Sequence, residues 1–393
     1  MQTPLCKNPC FFLSLQSFNM QLHIFNPEHD LSLAFGKPNF TPPHAARELR
    51  TNMGYLPAFW ADDGDMILVD DGDMILVDDV DYAVKAAAPF RHRMAEVLFL
   101  SFDDLHRWLQ SPPEAVPSVN PWGWDAALCH QLTRAGYPAS SLPSDARLQQ
   151  LRALSSRATS ADMLPFLLRH TGHPCLTGKS YLCASEKSVI ELTKALQHCV
   201  LKAPWSSSGR GIRYVESGQL SASAEGWMKH TLEKQHHLVV EPYYRKLKDF
   251  ALEFAVDDSG KTAYCGLSLF DTQNGNYTGN LLMQESAKRE EMRKFVSDDL
   301  FGSLIDGICL YFETKAPSYR GPFGVDMMVV ADDATDGILI HPCVELNLRR
   351  TMGHVALALT PPKDEPSQVM RIVHRVNYQL KCSPIEGEFV KVL

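Results

Sequence analysis

The chain has 393 residues, 45% of them hydrophobic and 21% charged, with a net charge of -8, which allows two or three packed subdomains and excludes a disordered or fibrous class. The acidic balance argues against a nonspecific nucleic-acid binder, which needs a surplus of Lys and Arg facing phosphate. The ten cysteines lie scattered from Cys6 to Cys382 without a CxxC pair, so neither a zinc ribbon nor a disulfide scaffold is indicated and a reducing cytoplasm is the natural setting.

In chain order, the apolar CFFLSLQSF beginning at Cys10 has only Lys7 before it and no small-residue cleavage site after it. It reads as part of an extension over residues 1–19 rather than as a secretion signal, with Met20 starting the folded part. No apolar run reaches the ~20 residues that span a bilayer. QLHIF, directly after Met20, reads as a first buried strand. Asn26, Glu28, His29 and Asp30 follow it at once, where α/β domains bind ligands. They fit a substrate pocket, or equally an Asn-Pro turn with His29 capping the next helix.

DDGDMILV at 62–69 recurs at 70–77, a local duplication of which only one copy needs to enter a sheet. Its carboxylates, Asp62 through Asp81, lack calcium-loop spacing and read as a solvated loop. AVKAAAPFRHRMAEVLFL and DAALCHQLTRAGY read as helices, giving an α/β domain over 20–155. In PWGWD, Pro121 and Asp125 suit a helix start, and Trp122 and Trp124 suit core anchors. The segment ending in Gly172 is helical, with Ser144 or Asp145 as its cap. Beyond it SYLCAS, VIELTKALQ, HCVLKAP, IRYV, LVVEPYY and DFALEFAVD give a mixed α+β order with antiparallel strands.

Three segments carry chemistry. In LKAPWSSSGRGIRYV a strand bearing Lys202 enters a turn with Ser206, Ser207, Ser208, Gly209 and Gly211. Such a hairpin can lay backbone N–H groups over phosphate oxygens while Lys202 adds a point charge; an ordinary glycine-bearing hairpin is the bland reading. GHPCLTGKS, with Lys179, misses P-loop spacing by one residue. In VVEPYYRKLKDFALEFAVD a strand ends at Glu241-Pro242 and another starts near Asp249. That connector can read an adenine edge while a carboxylate holds ribose hydroxyls, or both acids are surface charges. In GPFGVDMMVV and ILIHPCVELNLRRTMG, Asp326 and the i, i+2 pair Glu345 and Asn347 sit inside apolar strands. Carboxylates facing a sheet core are expensive unless paired or bound to a cation, and hard oxygen donors suit Mg²⁺. Arg349 and Arg350 follow and can stabilise a transferring phosphoryl group; a structural Asp/Arg pair is the alternative.

Read in this order, the segments over about 156–360 resemble the ATP-grasp superfamily, with VELNLRRTMG the most specific. The resemblance implies an α+β fold with an α/β N-terminal part: lobes at 156–240 and 241–393 gripping ATP, preceded by a smaller domain that helps to bind substrate. It further implies Lys202 and the 206–211 loop on phosphates, Glu241 at adenine, Asp249 at ribose, and Asp326, Glu345 and Asn347 on magnesium or manganese. Arg157 stands where many relatives place an earlier nucleotide-binding Lys. Relatives of the D-alanine ligase type carry Arg two positions before the metal-binding Asp, where this chain has Gly324, so Arg349, Arg350 or another basic residue would meet that charge. The leading expectation is a cytoplasmic ADP-forming ligase joining a small-molecule carboxylate to an amine or thiol, with no nucleic-acid or membrane partner and compatible with a homo-oligomer. A kinase acting on a hydroxyl and a non-catalytic nucleotide-binding protein are the alternatives.

Overall fold

The computed structural model describes residues 20–69, 79–110, 116–206, 211–273 and 276–385. The expected extension at 1–19 and the second DDGDMILV copy lie outside them.

The first part alternates strands and helices: β1 (Gln21–Ile24), α1 (His29–Phe35), α2 (His44–Met53), β2 (Met66–Leu68), α3 (Asp79–Ala87), β3 (Leu98–Leu100), α4 (Phe102–Gln110), β4 (Ser118–Pro121) and α5 (Ala126–Arg134). The strands form a parallel sheet in the order β3-β2-β1-β4. The first DDGDMILV copy supplies β2. From β1 the chain goes to β2 on one side, and β4 later pairs on the other. The loops after β1 and β4 therefore flank the switch point of the sheet, where α/β folds hold ligands. The helix expected over 83–100 stops early: Pro89 lies in the first turn of a 3₁₀ segment, and LFL at its far end becomes β3. A proline without an N–H breaks the helical ladder, and a short apolar run fits a parallel strand as readily as a helix.

A helical pair follows, α6 (Asp145–Leu154) and α7 (Arg157–Thr171). Ser144 caps the first, and Gly172, at φ 59°, ends the second. The break between them comes from Ser156, whose hydroxyl accepts from Ala158 N and caps α7. Replacing Ser156 by Ala is expected to lower unfolding stability by about 1 kcal/mol; an unchanged urea midpoint would contradict this. Helix α7 packs Met163, Leu164 and Leu167 into the core of the last sheet.

Next come β5 (Tyr181–Cys183), α8 (Glu186–Leu196), β6 (Cys199–Lys202), β7 (Ile212–Val215), α9 (Ala222–Gln235) and β8 (Leu238–Pro242), with an antiparallel sheet in the order β5-β8-β6-β7. The last part holds β9 (Lys246–Val256), β10 (Thr262–Gln273), β11 (Asn276–Leu282), α10 (Glu285–Met292), α11 (Asp298–Thr314), β12 (Gly321–Asp332), β13 (Gly337–Asn347), α12 (Met352–Ala358), β14 (Gln368–His374) and β15 (Tyr378–Pro384). Its seven strands are antiparallel in the order β13-β12-β9-β10-β11-β14-β15. The fold is thus α+β with an α/β N-terminal part. Leu282, Met370 and Leu380 share one apolar cluster with Tyr55, Phe59 and Trp122, so the first and last parts are joined by a common core. No helix among the described residues is long and apolar enough to cross a membrane.

Candidate functional site

Strand alternation sorts β12 and β13 into two faces. Phe323, Val325, Met327, Leu346 and Leu348 point into the core, whereas Asp326, Glu345 and Asn347 occupy the other face. The register sets Asp326 directly opposite Glu345 and Gly324 opposite Asn347. Burial, reinforced by the Glu345 charge, pushes the Asp326 carboxyl up to about 7. Two facing acids are costly unless positive charge meets them.

Two guanidinium groups do so. Arg157, at the start of α7, donates to Glu345 Oε1 at 2.7 Å, and also to Ala203 O at 2.6 Å and Ser206 Oγ at 2.8 Å. It thereby ties the hairpin after β6 to the acidic face. Arg349 donates to Asn347 Oδ1 at 3.1 Å and grips Asp30 with Nε and Nη2, the shortest contact being 2.8 Å. Asn347 Nδ2 in turn donates to Asp326 Oδ2 at 3.1 Å. Arg350 turns elsewhere: its guanidinium lies 4.6 Å from the Trp60 ring centre, and burial lowers it to about 10. Of the two arginines proposed for charge neutralisation, only Arg349 joins the acids.

Lys202 and Glu241 meet across β6 and β8. Lys202 Nζ stands 2.6 Å from Glu241 Oε2 and donates to Val344 O at 3.3 Å, and Ser180 Oγ donates to Glu241 Oε1 at 3.0 Å. Asp249 lies on β9 opposite Met328 and accepts from Thr272 Oγ1 at 2.6 Å and from Lys246. Ser207, Ser208 and Gly209 lie outside the described residues. Gly211 has a local reason to be glycine, because a Cβ there would fall 2.1 Å from Ser206 Oγ.

The segment after β1 divides its roles. Glu28 is buried against Arg50, Nη1 to Oε1 2.6 Å, and Asn26 clamps Gly123 with bonds to its carbonyl and amide. Both shape the loop. The expected cap by His29 is absent: Glu28 is the N-cap residue, its side chain making no capping bond, and the His29 ring lies against Gly123 and Asp125. Asp125 is the helix-start residue, accepting from Ala127 N and Leu128 N, and Trp122 is a core anchor.

Some of these residues line a small cleft. One wall is His29, Asp30 and Leu33. Another is Ser155 with Pro204, Trp205 and Ser206, and the floor is Glu345 to Leu348. Sequence segments some 300 residues apart thus share one cavity.

Whether the acidic face suits a divalent cation can be judged from its donors. Asp326, Glu345 and the Asn347 oxygen are hard ligands of the kind magnesium takes, two carboxylates and an amide, with room left for phosphate oxygens and water. Burial first, and then the facing Glu345 charge, raise the Asp326 carboxyl, and a bound cation would favour its ionised form. Glu345 and Asn347 Oδ1 are engaged by Arg157 and Arg349, so a cation would share or displace those contacts. No cluster of three or more His, Cys, Asp or Glu side chains placed for a metal occurs among the described residues.

Glu253 escaped the sequence reading. It shares the site-side face of β9 with Asp249 and Ala251, is 1% exposed, and sits against Gly324 and Gly353, where a Cβ would come within 2.5 and 1.8 Å of its oxygens. The i, i+2, i+4 spacing of Asp249, Ala251 and Glu253 was its available signal.

No family model matches the sequence. Among curated proteins, the [butirosin acyl-carrier protein]–L-glutamate ligase of Niallia circulans is 27% identical over 214 residues, covering 49% of this chain and 43% of that protein. The match therefore spans less than half of the relative's length. Among solved structures, biotin carboxylase from Campylobacter jejuni in complex with a β,γ-ATP ligand superposes with a TM-score of 0.49 and 14% identity, over 91% of this chain and 76% of that one. N5-carboxyaminoimidazole synthetase from Staphylococcus aureus, complexed with ADP, gives 0.43 and 12%, over 91% and 83%.

Proposed function

We propose that this chain is an ADP-forming ligase of the ATP-grasp type, which activates a small-molecule carboxylate as an acylphosphate on Mg-ATP and joins it to an amine or thiol. The observation that carries this reading is the cleft, in which Glu345 and Asn347 of the acidic strand face, Pro204 to Ser206 of the hairpin after β6, and His29 and Asp30 of the loop at the switch point of the first sheet converge. The shared identity with a protein named as a ligase supports it.

In this reading residues 156–240 and 241–393 are the two lobes that hold nucleotide, and 20–155 supplies the substrate side. Lys202 and Ser206 would meet phosphates, Glu241 the adenine, and Asp249 the ribose. Asp326, Glu345 and Asn347 would hold magnesium, which would supply positive charge to offset that of the phosphates. Arg157 and Arg349, already on the acidic face, would follow the transferring phosphoryl group as its charge spreads. Arg349 also fixes Asp30, so the first part is oriented toward the phosphoryl site, and catalysis would rest mainly on positioning.

Incubation with Mg-ATP and a mixture of carboxylates and amines tests this. ADP and phosphate are expected only when both acceptors are present. AMP and pyrophosphate would overturn the acylphosphate route, a stable phosphorylated product without amine would indicate a hydroxyl kinase, and absence of any turnover would leave a nucleotide-binding protein.

A further inference from the structure

The acids and arginines above account for phosphoryl transfer but supply no group to take a proton from an incoming nucleophile. The loops after β1 and β4 hold one. Asp125, 3% exposed, collects five donors. Ser32 Oγ at 2.7 Å, Ala127 N at 2.9 Å and Leu128 N at 3.0 Å reach Oδ1, and Asn26 Nδ2 at 3.2 Å and His29 Nδ1 at 3.1 Å reach Oδ2. Burial alone would favour its neutral form, but the His29 bond and the others outweigh burial and hold Asp125 below the usual carboxylate range. An ionised carboxylate only accepts, so the hydrogen between the two sits on His29 Nδ1. In the neutral ring that general-base chemistry requires, the lone pair is then on Nε2.

His29 is 2% exposed, and its Nε2 has no hydrogen-bond partner among the described residues. The residue forms part of the cleft wall, with Ser206, Glu345 and Asn347 in the same cavity. Its ring is fixed in place: Gly123 lies flat against it, a Cβ there would fall 2.7 Å from three ring atoms, and Asn26 clamps Gly123 at both backbone ends. Pairing β1 beside β4 brings these loops together from 96 residues apart. A buried base with one nitrogen oriented by a carboxylate and the other unpartnered is the arrangement general-base catalysis requires.

We propose that His29 is the general base of the joining step, with Asp125 as its positioning residue; this rests on the ligase reading above. The nucleophile's lone pair forms the new bond to the acyl carbon. The bond from that carbon to the phosphate oxygen breaks, and phosphate leaves with the electron pair. The proton shed by the amine or thiol goes to Nε2, which returns it to solvent before the next turnover.

The test separates the two half-reactions in the full-length protein. A mixture of the twenty amino acids serves as carboxylate and amine pool, and hydroxylamine, which needs no base at neutral pH, traps acylphosphate as hydroxamate. With H29A, amide formation is expected to fall about 100-fold while hydroxamate formation stays within a few-fold, and added imidazole should restore part of the amide rate. The isosteric D125N, which turns the hydrogen onto Nε2, should give the same split and carries the test if H29A does not fold. Equal loss of both half-reactions, or an amide rate unaffected by either substitution, overturns the proposal. A wild-type protein that forms no hydroxamate with any carboxylate sinks the ligase reading itself, a distinct outcome.

Discussion

Glu345→Gln is expected to reduce turnover by on the order of 10³-fold while leaving the protein folded. The change is isosteric, and an amide oxygen can still accept from Arg157 as Oε1 does at 2.7 Å, so the link from α7 to β13 survives. What disappears is the charge opposite Asp326. If that pair of acids holds a cation, removing half its charge weakens the cation and the phosphate geometry that depends on it. If the acids merely balance Arg157 and Arg349, activity should change little. The measurement is the rate of ADP formation across a magnesium titration, with circular dichroism as a control for folding. A wild-type rate at ordinary magnesium concentration would remove Glu345 from the site. A rate recovered only at high magnesium would locate the effect in metal affinity.

The acidic face was legible because a strand has period two: the spacing of Glu345 and Asn347 fixes their common side, and an Asp inside an apolar strand announces a partner. Local rules also worked where they are strictly local, as at the Ser144 and Asp125 caps and the left-handed Gly172. The parallel first sheet and the antiparallel later ones followed from the order of elements.

Other features depend on contacts that no local pattern encodes. Arg349 and Arg350 are adjacent and identical in type, yet one takes Asp30 and the other stacks on Trp60; those partners, more than 280 residues earlier in the chain, decide where each side chain goes. Asn26, Glu28, His29 and Asp30 looked like one cluster, but two of them build the loop and two line the cleft. That division requires Arg50, Gly123 and Asp125, brought in by helix packing and by the pairing of β1 with β4. Glu253 was hidden for a different reason: its partners Gly324 and Gly353 are conspicuous only through the space they leave.

Glu253→Gln is expected to stabilise the protein increasingly as pH rises. Burial first, and then repulsion by Asp326, pushes the Glu253 carboxyl from 4.5 up to about 8, and the neighbouring geometry agrees with a protonated acid. His354 Nε2 stands 3.2 Å from Phe254 O and Nδ1 faces the Thr351 amide, so Nδ1 carries the lone pair. Glu253 Oε2 lies 3.1 Å from that nitrogen, and burial lowers His354 to about 3. A lone pair facing an ionised carboxylate is repulsive, whereas a carboxyl O–H can donate to it. Between pH 4.5 and about 8 the folded chain therefore keeps a proton that the unfolded chain has lost. Stability that is fully present below pH 4.5 declines by about 1.4 kcal/mol per pH unit and is lost as pH passes about 8. The glutamine side chain of the variant cannot ionise and can donate an amide hydrogen to the same nitrogen. The variant should match the wild type near pH 4.5 and exceed it by roughly 3–5 kcal/mol near pH 8, an upper range because water entering the site would lessen the penalty on the charge. Urea unfolding of both proteins across this interval reads the difference directly. Midpoints that stay parallel would mean that Glu253 ionises without penalty, and the raised carboxyl would have to be abandoned.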